Sequence, residues 1–323
     1  MKRHHQILAG ILAAQVLLSM VVFWPRAAAT GGALVFPDLE AGGIVALTIT
    51  DADGNSVGLA KGEQGWVLPD ADDYPADAAK ITPVLEKIVG LTTSRLVTRT
   101  AASHRRLQVA ADDFVRRIDF ETVDGARHTL YLGSSPQYGA SHFRVEGQAE
   151  TYLTGDFSTW ETAAEASSWI DTSYVRLDET QIKEVTLENA DGTFTFTKEG
   201  DDTWTMAGLA PEETLDQAEV GNVVQRVASL SMLRPLGKEE VPEYGMHRPQ
   251  AVVTLETADE SVTLRVGAED PEDESYVVIS SESDYYVRVS RYSVQDLVEK
   301  TREGFLEQPA TPTPGAEGTA TPQ

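Results

Sequence analysis

The chain contains one structural unit twice, and this repeat constrains its fold more than any other feature of the sequence. Each copy has a short apolar stretch at a tryptophan, an acidic loop, and then apolar residues at i, i+3, i+4, i+7 and i+10, which is helical spacing. The apolar positions are Ile81, Val84, Leu85, Ile88 and Leu91 in the first copy and Val220, Val223, Val224, Val227 and Leu230 in the second. A stripe that recurs in this way predicts an amphipathic helix in each copy and an internal duplication.

Further positions extend the repeat over most of the chain. Leu39, Ile44, Gly54 and Trp66 correspond to Leu177, Ile182, Gly192 and Trp204, and Gly133 and Tyr152 correspond to Gly267 and Tyr286. Alternating apolar residues flank Asp53-Gly54 and Asp124-Gly125, which is the pattern of β-hairpins. We therefore expect an α+β protein. It should have two tandem copies of a mostly antiparallel β-sheet domain, 38–170 and 171–307, with one main amphipathic helix each, preceded by one N-terminal transmembrane helix.

The ends of the predicted helices are less sharply defined. The first main helix begins either at Asp77, with Pro83 kinking it, or at Thr82, with Pro83 in the favoured first position. In the second copy, Asp216 and Glu219 resemble a capping box, which favours the start at Asp77. Closing helices are predicted over 157–169 and over 293–307.

The composition excludes several classes of function. Lys and Arg number 26 against 51 Asp and Glu, a net charge of −25, so the surface repels nucleic acid. The chain has no cysteine and therefore no disulfide, thiolate nucleophile or Cys-ligated metal. Its 323 residues are enough for two hydrophobic cores.

The N-terminal segment predicts the compartment. Ile7–Trp24 carries no charge, Lys2 and Arg3 precede it, and a helix of this length just spans a bilayer core. Residues 1–29 are thus expected to be a cytoplasmic tip and anchor, with the bulk of the chain extracytoplasmic. A signal peptide cleaved after Ala29 is the alternative. At the other end, residues 308–323 are rich in Pro, Thr, Ala and Gly, which predicts a disordered tail.

No motif predicts a catalytic, cofactor or metal site. The six histidines form no pair at helical spacing, and no glycine-rich nucleotide loop or nucleophile elbow is present. Asp51-Ala52-Asp53-Gly54 resembles the start of an EF-hand loop, but Gly62 occupies the position that needs a bidentate Glu. Carboxylates are so numerous that a close pair of them carries no information about glycoside hydrolysis.

Aromatic residues are the candidates for an interaction surface. They are Trp66, Trp204, Trp160, Trp169 and Tyr174. For Trp66 the simpler interpretation is a core anchor over the helix, and the alternative is a platform on which a ligand stacks. The basic run His104-Arg105-Arg106 is expected to pair with neighbouring carboxylates rather than to bind a ligand.

The order of these motifs resembles a known family. The N-terminal anchor, Gly65-Trp66-Val67-Leu68, Tyr74-Pro75-Ala76-Asp77 before a helix, and the linker Trp169-Ile170-Asp171 are similar to the bacterial family called domain of unknown function 4340. The resemblance covers about residues 5–306 and transfers no catalytic residue. It implies a membrane-anchored envelope protein that accompanies ABC transporters of the gliding-motility type, whose permease and ATPase are separate chains.

Three functions remain open at the level of sequence. The favoured one is a non-enzymatic accessory or scaffold protein of such a transport complex, with permease or ATPase subunits as partners. The second is an envelope receptor that binds its ligand in a cleft between the two copies, near residues 160–174. The third and most remote is a hydrolase that uses exposed carboxylates.

Overall fold

The computed structural model describes residues 32–200 and 203–307. The predicted anchor, 1–29, and the predicted tail, 308–323, lie outside these residues. Within the described ranges, no helix combines the length and the apolar character needed to cross a bilayer.

The first sheet contains the hairpins that the first half of the sequence predicts. Its strands are β1 (Ile44–Asp51), β2 (Ser56–Lys61), β3 (Trp66–Leu68), β4 (Tyr74–Pro75), β5 (Leu96–Thr98), β8 (Arg116–Thr122), β9 (Arg127–Leu132), β10 (His142–Val145) and β11 (Thr151–Leu153), and β6 (Val109–Ala110) pairs with β7 (Asp113–Phe114) in a separate small sheet. The order in the large sheet is β4-β3-β2-β1-β8-β9-β10-β11-β5. Gly54 and Gly125 adopt positive φ at the two predicted turns, as tight turns of this type require.

The second sheet lies in the second half of the chain. Its strands are β12 (Glu184–Asn189), β13 (Gly192–Glu199), β14 (Thr203–Met206), β15 (Arg234–Gly237), β16 (Ala251–Glu256), β17 (Ser261–Asp270), β18 (Ser275–Ser280) and β19 (Tyr286–Ser290). Their order is β14-β13-β12-β16-β17-β18-β19-β15. Apart from β4, the two large sheets have corresponding strand orders, with β12, β13 and β14 in the places of β1, β2 and β3.

The helices begin and end where local chemistry allows. Among the described residues they are α1 (Ala78–Val89), α2 (Gln217–Ala228) and α3 (Arg291–Glu299). Asp77, the residue before α1, accepts a hydrogen bond from the Ala79 amide at 2.9 Å, which supports the predicted start with Asp77 as N-cap, and Pro83 lies inside the helix. Asp216 caps α2 through the amides of Ala218 and Glu219. Short 3-10 turns span Ala41–Gly43, Pro69–Ala71, Ala101–Ser103, Thr159–Glu161, Ala166–Trp169, Glu179–Gln181, Pro242–Tyr244 and Arg302–Phe305.

Both predicted apolar stripes are buried. Each of the ten stripe residues of the two copies belongs to the core. One buried stripe of five aliphatic residues contributes on the order of 10 kcal/mol of hydrophobic stabilisation, as an upper bound.

The predicted fold, two α+β copies with one main helix each behind a transmembrane helix, is wrong as stated. The described residues form three sheets, which are mostly antiparallel, together with three helices, and none of these helices can span a membrane. The predicted helix over 157–169 is also wrong. This stretch forms two 3-10 turns, one of which carries a Ser158–Glu161 capping box. The predicted helix over 293–307 is only partly correct: α3 ends at Glu299, and Arg302–Phe305 forms a 3-10 turn. Within α3, Val294 and Leu297 lie three residues apart and are both buried.

Contacts divide the described chain into two compact units. One comprises 32–55 and 82–163, and the other comprises 56–81, 164–200 and 203–307. The predicted domain limits, 38–170 and 171–307, stay a prediction.

The turn after β1 should give the stability of the protein a specific pH dependence. The side-chain amide and backbone N–H of Asn55 and the backbone N–H of Asp53 all donate to the Asp51 carboxylate. The Asn55 amide is the largest cause that holds the pKa of Asp51 below its ordinary value of 3.8. Since the pKa is lowered by folding, this stabilisation is present above about pH 4 and is lost as the pH falls through the lowered pKa.

We therefore expect Asp51→Ala to lower the free energy of unfolding at pH 7 and to have a smaller effect at about pH 2.5. Urea denaturation of wild type and variant at both pH values measures this difference. The control is Asp53→Ala, because the Asp53 carboxylate accepts no hydrogen bond from any described residue. An Asp51→Ala effect that is the same at both pH values would contradict the assignment.

Candidate interaction site

The segment that leads into β1 is fastened to the chain after α1. The Val35 amide donates to the Leu91 carbonyl at 2.9 Å, and the Thr93 amide donates to the Ala33 carbonyl at 3.0 Å. Gly32 lies so close to the Ser94 backbone that a Cβ on it would be 2.1 Å from the Ser94 nitrogen. The segment therefore has a defined course from its first described residue.

Phe36 anchors this segment in the core of its unit. The centroid of its ring lies 5.4 Å from that of Phe120 and 5.2 Å from that of His128, both in edge-on geometry. The His128 ring stacks on Phe120 with a centroid distance of 5.0 Å. Such edge and offset contacts are the preferred geometry of aromatic groups. They fix the distance between residues 35–40 and the turn that joins β8 to β9.

That turn presents an apolar side chain to solvent. The Thr122 amide donates to the Ala126 carbonyl at 3.0 Å, and the Val123 amide donates to the Gly43 carbonyl at 2.8 Å, so both ends of the turn are fixed. The Thr122 hydroxyl donates to Asp124 and holds the pKa of that carboxyl below its ordinary value. Val123 itself is 79% exposed. The turn therefore holds one apolar side chain in solvent at a fixed position.

The segment and the turn form the two walls of a groove of about 660 Å³, which we call the N-terminal groove. It is lined by Val35, Phe36, Pro37, Asp38, Leu39, Glu40, Gly43, Thr122, Val123, Asp124, Ala126 and His128. The volume is within the range of about 300–1,000 Å³ that is typical of binding pockets. Most of the lining is apolar, and the carboxylates are Asp38, Glu40 and Asp124. None of the described residues that line it is a lysine or an arginine, so the groove complements a ligand that is both apolar and basic.

The tryptophans named from the sequence are mostly in the interior. Trp66 is 8% exposed, and Trp204 and Trp169 are similarly buried, whereas Trp160 is 66% exposed. Burial supports the core-anchor interpretation of Trp66 and leaves its ring no free face for a ligand. Of these four side chains only Trp160 presents its ring to solvent.

Tyr174 is half-buried and serves to connect strands. Its hydroxyl donates to the Tyr285 carbonyl at 2.7 Å and accepts from the Ser280 amide at 2.9 Å. Burial raises its pKa, so the phenol stays protonated at neutral pH. Both hydrogen-bonding functions of the hydroxyl are thus used within the protein.

A neighbouring cluster joins residues that are far apart in sequence. The Lys238 amide donates to the Asp72 carboxylate at 2.6 Å, and the Tyr285 hydroxyl donates to the Asp72 carbonyl at 3.2 Å. The rings of Tyr74 and Tyr285 are edge-on to each other, with their centroids 4.8 Å apart. Burial raises the pKa of the Tyr74 hydroxyl to about 12. Asp72 has positive φ, which is uncommon for a residue other than glycine. These contacts serve to hold the loop in place.

The acidic and basic runs of the sequence have local roles. The Asp51 carboxylate accepts hydrogen bonds from Asp53 and Asn55 of its own turn. In the described part of the chain, no group of three His, Asp or Glu side chains could hold a metal ion. In the basic run, Arg105 pairs with Asp112, as predicted, and the His104 ring bonds to the Ala149 carbonyl.

Sequence reasoning missed the N-terminal groove. It identified Val123-Asp124-Gly125 only as a turn and Leu39 only as a repeat position. The available signal was a β-branched apolar residue in a turn whose other members are polar or glycine. That Phe36 lies opposite this turn depends on contacts across more than eighty residues.

Comparison with known proteins identifies the family. Neither a curated protein nor a solved structure matches the chain significantly. A family model described as Domain of unknown function (DUF4340) matches residues 66–242, which is more than half of the chain. The chain therefore belongs to the DUF4340 family.

Proposed function

We propose that the protein is a membrane-anchored, extracytoplasmic and non-enzymatic accessory subunit of an ABC-type transport system. In this proposal its apolar segment Ile7–Trp24 holds it at the membrane, and the N-terminal groove docks a partner. The partner is an extracytoplasmic loop of the permease that presents an apolar side chain next to basic residues.

The observation that carries the proposal is the position of the groove in the chain. One wall consists of residues 35–40, and the chain is already fastened to the fold at Ala33 and Val35. Only seven residues lie between Trp24 and Gly32. Even fully extended, they span at most about 25 Å. If the apolar segment lies in the bilayer, the groove is within reach of the short loops of a membrane protein.

The chemistry of the groove supports a protein partner of this kind. Phe36, Leu39 and Val123 supply apolar surface, which a matching side chain could cover. Asp38, Glu40 and Asp124 supply negative charge at the same place, and the chain as a whole carries −25. Attraction of a basic loop would be strongest at low ionic strength.

Photo-crosslinking in native membranes tests the proposal. A photoreactive amino acid is placed at Val123 in the full-length protein, and the crosslinked products are analysed by mass spectrometry. The matched control is the same group at Tyr138, which is 93% exposed in the same unit but lies outside the groove. We expect permease peptides at Val123 and not at Tyr138. Failure of Val123 to crosslink any membrane protein, or equal crosslinking from both positions, would overturn the proposal.

A charge substitution gives an independent prediction. Val123→Asp adds a fourth carboxylate at the groove and replaces an apolar side chain that is 79% exposed. Because Val123 makes few internal contacts, stability should change by less than about 0.5 kcal/mol. Recovery of the partner by affinity purification should fall by at least about tenfold. Normal recovery with the variant would show that the groove is not the docking surface.

A further inference from the structure

A second surface site lies where the end of α2 meets the start of α3. Tyr292, in the first turn of α3, is 78% exposed. The guanidinium of Arg226, in the last turn of α2, lies over its ring at 4.7 Å from the centroid. An aromatic ring with one face covered by a cation and most of its surface in solvent has an open face on which a ligand can stack.

Arg226 contacts Tyr292 at two places, its carbonyl and its ring. Arg226 donates a hydrogen bond to the Tyr292 carbonyl, and its other terminal nitrogen pairs with Asp296 at 3.2 Å. The arginine therefore holds both the main chain and the ring of Tyr292. A group that is held before the ligand arrives loses less conformational entropy on binding.

Polar groups surround the ring in a cavity of about 380 Å³. Its lining is Asn222, Gln225, Arg226, Ser229, Leu230, Ser231, Tyr292 and Ser293. Asn222 and Gln225 lie three residues apart on α2 and therefore share one face. Their side-chain amides have no hydrogen-bond partner among the described residues, and each amide offers donors and an acceptor.

This combination selects a class of ligand. Asp296 balances the charge of Arg226, so the cavity has no unpaired cation for an anion. Leu230 is buried, so the lining offers little apolar surface apart from the Tyr292 ring. Amides and hydroxyls beside an open aromatic face suit a molecule with hydroxyl groups at its edge and C–H groups on its flat side. We propose that this cavity binds a neutral saccharide, with a sugar ring stacked on Tyr292.

Saturation-transfer NMR with the purified full chain in lipid nanodiscs tests the proposal, because alkyl-glycoside detergents would compete. The probes are cellobiose and N,N′-diacetylchitobiose, with glucuronic acid as the anionic comparison. We expect transfer to at least one neutral disaccharide, strongest at the protons of one ring face. Titration of that signal gives an apparent affinity for each variant.

The variants separate stacking from general surface effects. Tyr292→Ala should lower the affinity at least tenfold, and Tyr292→Phe, which keeps the ring, should change it by less than about threefold. Tyr138→Ala, at an exposed tyrosine in the other unit, should have no effect. No transfer from either neutral disaccharide, tighter binding of glucuronic acid, or unchanged affinity of Tyr292→Ala would each overturn the proposal. Thermal unfolding of Tyr292→Ala shows whether this variant is folded. If it is not, Asn222→Ala, at an exposed position of the same cavity, tests the site instead, and we expect it to lower the affinity as well.

Discussion

Replacing Gly133 with alanine is expected to lower the free energy of unfolding by roughly 3 kcal/mol or more, which is at the upper end of single-substitution effects. A Cβ at this position would lie 2.1 Å from the Leu107 carbonyl oxygen and 2.6 Å from that of Gln108. Both atoms belong to the backbone and cannot rotate away. The backbone is further fixed by the hydrogen bond from the Ser134 amide to the Leu107 carbonyl at 3.0 Å.

Gly267, the corresponding glycine of the second copy, should behave in the same way. Its Cβ would lie 2.1 Å from the Tyr244 carbonyl oxygen and 2.9 Å from the Met246 methyl group. Chemical denaturation of the full chain measures both variants. The matched control is Gly221→Ala inside α2, where nothing lies within 4 Å. This control should be neutral or stabilising by up to about 1 kcal/mol. Equal stability of Gly133→Ala and wild type would show that the close approach to Leu107 is absent.

Replacing Ile88 with alanine is the second change with a large expected effect. Ile88 lies in α1 with 0% exposure, so truncation removes buried methyl and methylene groups and leaves a cavity. Substitutions of this type cost about 2–5 kcal/mol. Urea denaturation followed by far-UV circular dichroism measures the loss.

The control for Ile88 comes from the same helix. Glu86 is two positions away on the exposed face, and Glu86→Ala should change the free energy of unfolding by less than about 0.5 kcal/mol. A loss below 1 kcal/mol for Ile88→Ala would contradict the assignment of the stripe to the core. An equal loss for both variants would point to helix propensity rather than burial.

The same stripe shows why part of the fold can be read from sequence. Ile81 and Ile88 recur at helical spacing, and alternating apolar residues flank Asp53-Gly54. Both are local patterns, because each element exposes one face to water and buries the other. The stretch 157–169 illustrates the limit. Trp169 is buried and Trp160 is exposed, yet the chain between them forms 3-10 turns because no continuous helical stripe is available to bury.

The sequence alone thus determined the buried helical stripes, the turns with glycine at positive φ and the family, since each depends on residues close together in the chain or on their order. Only the tertiary structure decided which residues meet across long distances. Phe36 packs against Phe120 and His128, Arg226 lies over Tyr292, and the Leu107 carbonyl leaves no room for a side chain at Gly133. No local periodicity predicts such contacts, because they depend on the order and register of the strands, which residues throughout the chain determine.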